Sequence, residues 1–328
     1  MDQPTALSFT SSSLKAFGPI WDGAGTRGFF GEGYWYHPLV PGLSFKGSAF
    51  VAKTVTSYPH DGNMALAADY TPLRRFPSCI VTYPGKKMAL NAVGLSNPGI
   101  NAILKTERWQ RIRDPFFISY TPVLPKKDAR HAGEVSRFIQ SMLVRRCNFR
   151  TLNLGLQLNL SCPNAHQDMV ELIERAHDLL TALGELHLPI VVKLNLLVNP
   201  EVAEVIARHP ACSGICIANS VPFGEYFPKA WWERFFRGGS PLERRGFTAG
   251  GLSGAPLLRE VAHWVGEFRR LDASTHVNAG GGILCEDDVD TLVSVGASSI
   301  FFSSVAMLRP WRVRSIIRRA HELLGNTT

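Results

Sequence analysis

The sequence lacks the features that most quickly give away a function. Its six cysteines, Cys79, Cys147, Cys162, Cys212, Cys216 and Cys285, form no C-x2-C pair. Zinc and iron–sulfur sites usually need such close spacing, so no metal centre is expected. Cys212 and Cys216 have no second pair or histidine cluster beside them and read as buried small residues. Scattered thiols in a chain of 328 residues suit a reducing compartment better than a disulfide scaffold. No run approaches the roughly 20 apolar residues that span a bilayer. The first thirty residues hold no continuous apolar signal segment. The expectation is a cytoplasmic protein that makes no use of a membrane. Internal repeats and low-complexity stretches are absent too.

What is present is an ordinary globular balance, with 45% hydrophobic and 19% charged residues. The 35 lysines and arginines outnumber the 27 acids, for a net charge of +8. Nucleic acid, an anionic membrane and small anionic ligands would all suit that charge, which does not choose among them.

Beyond a first stretch rich in Gly, Ser, Pro and aromatics, apolar runs alternate with helical spacing. The runs are Ala49–Ala52, Pro115–Tyr120, Leu154–Leu160, Ile190–Leu194, Gly214–Ala218, His276–Ala279 and Ser299–Phe302. None alternates strictly, as expected of parallel strands covered on both faces. Between them Leu172, Ala176, Leu179 and Leu183 recur at helical steps, as do Val202 with Ile206, Val289 with Val293, and Val313 with Ile317. Strand–helix alternation implies a parallel sheet with right-handed crossovers. Seven or more strands over this length predict an α/β fold of the (β/α)8 TIM barrel type, behind an irregular N-terminal segment over 1–47. An open doubly wound sheet is the other possibility. The Trp-, Phe- and Arg-rich stretch 222–248 interrupts the alternation and reads as a long loop over the barrel mouth.

Barrel chemistry gathers at the C-terminal ends of the strands. Here those ends carry Lys53 and Thr54, then Asn159, Ser161, Cys162 and Asn164, then Lys193, then Asn219 and Ser220. Next come Gly280–Gly282, and finally Ser303 and Ser304. Glycines let backbone N–H groups approach an anion, so the last two clusters and Gly250–Gly254 suggest a phosphate site. Lys193 stands between Val192 and Leu194, a poor place for a charge unless an anion faces it. Cys162 has the bland reading of a small buried residue. Pro163 should end the strand and set its thiol on a loop, where a thiol near cations can act as a base.

These residues resemble the dihydroorotate dehydrogenases, in particular the soluble class with a cysteine base. The runs that carry the resemblance are Lys53–Thr56, Asn91–Asn97, Leu158–Asn164, Val192–Leu194, Asn219–Ser220, Gly251–Gly254, Gly280–Ile283 and Gly296–Ser304. A fainter match lies at Asp22–Gly25. The resemblance implies one FMN-binding barrel domain over 1–328, an oxidoreductase acting on a CH–CH bond. Its FMN contacts would be Ala24, Gly25, Lys53, Thr54, Asn159, Lys193, Ala218, Gly254, Gly281, Gly282, Ser303 and Ser304. The substrate, dihydroorotate in pyrimidine biosynthesis, would meet Lys53, Asn91, Gly94, Leu95, Asn159, Asn164, Asn219 and Ser220. Cys162, with Lys53 beside the reacting ring, would take a proton from C5 while hydride passes from C6 to flavin N5. The membrane-bound class has serine in that place and an N-terminal extension; this chain has cysteine, so the soluble class and a homodimer are expected, with the electron acceptor open.

The chain departs from the family twice. Where the family runs Gly-Asn-Pro-x-Pro-Arg, this chain reads Gly62–Ala67 without the prolines or the arginine. After Asn164, Ala165–Asp168 leads into a helix without the usual Gly/Lys loop. The alternatives are a relative acting on another dihydropyrimidine or unsaturated ring, a tRNA dihydrouridine synthase, and a non-catalytic binding barrel. The second normally adds a helical domain that finds no room here, so nucleic acid is not an expected partner. The arginines Arg309, Arg312, Arg314, Arg318 and Arg319 read as a solvated helix face.

Overall fold

The computed structural model describes residues 11–160 and 169–325; the runs 1–10, 161–168 and 326–328 lie outside that description. Eight parallel strands form one sheet. Their spatial order is β1 (Ile20–Asp22), β12 (Ser299–Phe302), β11 (His276–Ala279), β8 (Cys212–Ile217), β7 (Ile190–Leu194), β6 (Leu154–Asn159), β5 (Phe116–Tyr120) and β2 (Phe50–Val51). The two edges meet. A parallel bridge joins Trp21 to Ala49, and the Asp22 N–H and Ala49 N–H donate across it at 2.9 Å each. The sheet is thus a (β/α)8 TIM barrel.

Period-two alternation explains both the apolar strands and the place of the site. Phe116 and Ile118 face the helices, whereas Phe117 joins an inner cluster with Trp21, Val51, Val191, Cys216 and Phe301. Phe17 from the N-terminal segment closes this layer, its ring 4.0 Å from that of Phe117. A Cβ on Gly155 would lie 2.4 Å from the Phe117 ring, so a bare residue there makes room for it. Removing a ring this buried costs about 3–5 kcal/mol. Two positions on from these inner residues stand Gly23, Lys53, Lys193, Ala218 and Ser303, with Ser119 and Asn159 at the same level. The polar layer at the mouth is therefore the next turn of the same alternation.

The helices α2 (His131–Arg145), α3 (Met169–Gly184), α4 (Pro200–Ala207), α6 (Leu258–Leu271), α7 (Glu286–Ser294) and α9 (Val313–Leu324) cover the outside. Pro200 opens α4, where its missing N–H costs nothing, and Asn199 caps it by accepting from the Val202 N–H at 2.9 Å. Neither α2 nor α6 was read from the sequence, although Val135, Phe138, Ile139 and Met142, and Val261, Trp264, Val265 and Phe268, carry the spacing. Three short helices, α1 (Ile100–Lys105), α5 (Lys229–Phe235) and α8 (Val305–Leu308), complete the set among the described residues.

A second, antiparallel sheet orders β3 (Ile80–Tyr83), β4 (Met88–Asn91), β10 (Gly251–Gly254) and β9 (Val221–Pro222). Gly251–Gly254, expected as a turn, is a strand because β4 and β9 pair with it on both sides. A Cβ on Gly251 would sit 2.4 Å from Ser220 Oγ, so a glycine lets these segments meet. The stretch 222–248 is more ordered than a bare loop. It contains α5, whose Trp232 packs with Phe223 and Phe236.

Candidate active site

The polar residues at the strand ends are joined by one run of hydrogen bonds. Ser119 Oγ and Thr54 Oγ1 lie 2.9 Å apart, and Asn159 Nδ2 donates to Thr54 Oγ1 at 3.5 Å. Asn219 Nδ2 donates to Asn159 Oδ1 at 3.1 Å, and Asn219 Oδ1 accepts from the Ser220 N–H at 3.0 Å. The run crosses the ends of β2, β5, β6 and β8, so four strands fix the two amides together.

Two buried lysines stand beside it, Lys53 next to Thr54 and Lys193 on the strand between Asn159 and Asn219. Lys53 is 9% exposed. Its ammonium donates to the Ser96 carbonyl and stands 4.9 Å over the Phe29 ring. Burial pulls its pKa down to about 8, with a small opposing pull from Cys79. Lys193 is 6% exposed, its ammonium 5.1 Å from the Phe301 ring. Burial lowers its pKa as well, opposed slightly by Cys216. Among the described residues no carboxylate lies within ion-pair distance of Lys193 and no acceptor takes its hydrogen bonds. A buried cation in that state suits an anionic or electron-rich ligand.

Sequence reasoning gave no role to the loop contacts that hold Lys53. The Asn91–Asn97 run leaves β4, and Asn91 Nδ2 donates to the Gly251 carbonyl at 3.5 Å. Gly94 and Leu95 both have positive φ, +67° and +59°. Asn97 then accepts from the Thr56 N–H at 3.1 Å and the Gly99 N–H at 2.9 Å. The segment that departs from the family is docked on this loop. Asn63 Nδ2 donates to the Ala92 carbonyl at 2.7 Å, and the Met64 N–H to Ser96 Oγ at 2.9 Å. Beside it lies a cleft of about 590 Å³ lined by His60, Asn63, Met64, Leu66, Asn97 and Phe247.

The other end of the mouth carries the glycines and serines. Thr26 Oγ1 donates to Ser303 Oγ at 2.9 Å, and the Gly23 N–H to the Phe302 carbonyl at 2.6 Å. Ser304 is buried, and Ala24 packs against the inner aromatic layer. Gly25 lies against the Lys53 stem, which a Cβ there would meet at 3.5 Å. Ala218 donates to the Gly280 carbonyl at 2.6 Å, tying β8 to the glycine turn after β11. Gly282 has φ +90°, and a Cβ on it would sit 2.7 Å from the Leu258 N at the start of α6 and 3.0 Å from the Gly254 carbonyl. The bare turn, the helix start and the end of β10 thus converge. At the end of β1 Asp22 is fully buried, paired with Arg27 and accepting from Ser48 Oγ at 2.7 Å. Asp22 entered the sequence reading only as the start of the fainter match over Asp22–Gly25, and Arg27 had no part in it.

Of the expected site residues, Thr54, Asn159, Asn219 and Ser220 share one network; Gly254, Gly281, Gly282, Ser303 and Ser304 occupy the other end; and Lys53 is bound to the loop that carries Asn91, Gly94 and Leu95. Cys162 and Asn164 lie outside the described residues. The described residues hold no group of three or more metal-ligating side chains and no helix long and apolar enough to cross a membrane.

A closed parallel barrel whose mouth holds two buried lysines, paired amides and a glycine turn defines a barrel enzyme that takes a small, anion-bearing ligand. The family model for dihydroorotate dehydrogenase matches residues 18–324. The chain is 24% identical to the "Dihydroorotate dehydrogenase B (NAD(+)), catalytic subunit" of Cutibacterium acnes, over 98% of this chain and 94% of that protein. It is 26% identical to the protein of the same name from Listeria welshimeri, over 93% and 88%, and 27% to that from Anoxybacillus flavithermus, over 72% and 70%. The chain belongs to the dihydroorotate dehydrogenase family. It is an oxidoreductase acting on a CH–CH bond of a small molecule, with a flavin cofactor. The donor set fits that group: a buried ammonium without a carboxylate for the electron-rich ring, and the Gly282 cradle for an anionic tail.

Proposed function

We propose that this enzyme oxidises dihydroorotate to orotate with FMN as its flavin. The observation that carries the reading is the Asn159–Asn219 amide pair, which reaches across the end of the strand that carries Lys193, with Lys53 two strands beyond Asn159. Paired amides offer both donors and acceptors, as a cyclic imide requires, and a cation suits its carboxylate. The backbone N–H groups of Gly94 and Leu95 would receive that carboxylate, with Asn91, Asn164 and Ser220 completing the ring's contacts. Lys53, held by Ser96, would fix the ring's position.

FMN would lie along Ala24, Gly25, Thr54, Lys193 and Ala218, with its phosphate toward Gly254, Gly281, Gly282, Ser303 and Ser304. Bound there, it supplies the acceptor for the hydride leaving C6. Cys162 takes the proton from C5, so one proton and one hydride leave and a C5–C6 double bond forms. Phe301 and Trp21 belong to the apolar layer one step deeper in the barrel, which would close that side of the site to water. The relatives' names support NAD(+) as final oxidant, reached through a second subunit. We extend to this chain a cytoplasmic location and a homodimeric state.

The test is anaerobic addition of dihydroorotate to the oxidised holoenzyme. Bleaching of the flavin is expected, with Cys162→Ser retaining FMN but reducing it much more slowly. A flavin that stays yellow with dihydroorotate but bleaches with another dihydropyrimidine would move the substrate to a different ring.

A further inference from the structure

The chain's positive charge is not spread evenly. Residues 73–87 hold four lysines and arginines and no acid, and residues 229–245 hold five against two glutamates. These two stretches therefore account for nearly all of the net +8. Far apart in sequence, they touch in the fold. Arg245 donates to the Ser78 carbonyl at 3.0 Å, Lys86 to the Phe235 carbonyl at 3.1 Å, and the Tyr83 ring packs 5.7 Å from that of Phe236. Among the described residues the one ion pair within the two stretches is Lys229–Glu233, at 3.7 Å. Arg74, Arg75, Lys86, Lys87, Arg237 and Arg245 have no carboxylate partner among the described residues.

Large apolar side chains protrude among these cations. The run Leu73-Arg74-Arg75-Phe76 is exposed along its length, Leu73 at 64% and Phe76 at 78%. Trp35 braces it, 5.1 Å from the Phe76 ring, beneath the Arg75 guanidinium at 5.6 Å, and donating to the Arg75 carbonyl at 2.8 Å. Leaving Leu73 and Phe76 in water is unfavourable unless something covers them.

We propose that this surface is a peripheral docking site for an anionic lipid bilayer. Cations without partners gain most from a negatively charged surface, and apolar tips flanked by arginine suit the headgroup–acyl boundary. Leu73 and Phe76 stand out from the molecule and line neither of the clefts beside His60, whereas a protein partner would call for a complementary hollow or plane. A fluid interface needs no such fit. The proposal is independent of which substrate the enzyme takes.

The test sediments FMN-loaded full-length protein with vesicles of phosphatidylcholine containing about 30% phosphatidylglycerol, and with phosphatidylcholine alone. Binding to the anionic vesicles only, released by high salt, is expected. Arg74→Glu with Arg75→Glu should lower the partition coefficient by more than about tenfold. Leu73→Ser with Phe76→Ser should lower it several-fold, and Arg314→Glu with Arg318→Glu on α9, an equal change in charge, should leave it unaltered. No binding overturns the proposal. So does equal loss from both charge-reversal variants, which marks a general effect of net charge. Binding indifferent to Leu73 and Phe76 also overturns it and leaves the basic surface to an acidic macromolecule.

Discussion

Asn219 donates from Nδ2 to Oδ1 of Asn159 at 3.1 Å, so an amide from the end of β8 is oriented by one at the end of β6. With the bonds from Asn159 to Thr54 and from the Ser220 N–H to Asn219, it fixes the orientation of both amides. Asn219→Ala should therefore lower kcat/KM by about 10- to 100-fold, the range expected when one buried hydrogen-bonding group of about 1–3 kcal/mol is lost. FMN content should be unchanged. Steady-state kinetics beside the flavin absorbance ratio checks both; loss of flavin in this variant would place Asn219 with the cofactor.

Lys193 offers a prediction of two opposite signs. In the apoprotein its ammonium is buried without a carboxylate among the described residues, which disfavours the folded state. Lys193→Met should raise the melting temperature of the apoprotein while weakening FMN binding by about tenfold or more, since charge-assisted contacts are worth roughly 1.5–3 kcal/mol. Thermal scans with and without FMN, and a fluorescence titration, measure the two effects. A variant less stable in both forms would show that the lysine's stem, rather than its charge, matters.

The depressed pKa of Lys53 sets a pH dependence. Only the cation attracts a carboxylate, so kcat/KM should fall as pH rises through about 8. Lys53→Arg should be slower yet lack that limb, because arginine stays charged. Stability runs the other way. Between about 8 and the ordinary value of 10.5 the unfolded chain still holds this proton and the folded chain has released it, so the apoprotein gains stability with rising pH there. A pH–rate profile of both proteins and denaturant melts across that window are the measurements.

Asp22, buried at the end of β1, pairs with the partly buried Arg27, and burial pushes the Asp22 carboxyl upward against the pull of Arg27 and Ser48. Removing one partner strands the other. Asp22→Ala and Arg27→Met should each cost about 3–5 kcal/mol, and the double variant clearly less than their sum. Urea denaturation of the four proteins closes the cycle. Additive losses would mean that the pair is not coupled.

Seven of the eight barrel strands were legible in the sequence because they are apolar on both faces, and Lys53, Asn159, Lys193 and Asn219 stood out as polar intrusions at their ends. The strand β1 was not legible. Ile20-Trp21-Asp22 is three residues long, and what makes it a strand is pairing with Ile300–Phe302 and Ala49, which no local window contains. The same applies to Gly251–Gly254, whose glycines read as a turn until β4 and β9 supply partners. At the site, side-chain chemistry was readable but backbone chemistry was not. The Ser96 carbonyl that holds Lys53, and the docking of Asn63 on Ala92, depend on which loops the second sheet brings together.

The pairing of β1 with β12 also bears on how the chain is made. Its first barrel strand needs one of its two neighbours from residues 299–302, which leave the ribosome long after β1 itself. Until then the Trp21 layer lacks Phe301 and the seam stays open along that edge. Such a nascent chain carries an exposed strand edge and a partly uncovered aromatic layer, the usual prey of chaperones and proteases. Chains stalled before β12 should be cut readily near residues 11–22 by a protease that spares the finished enzyme.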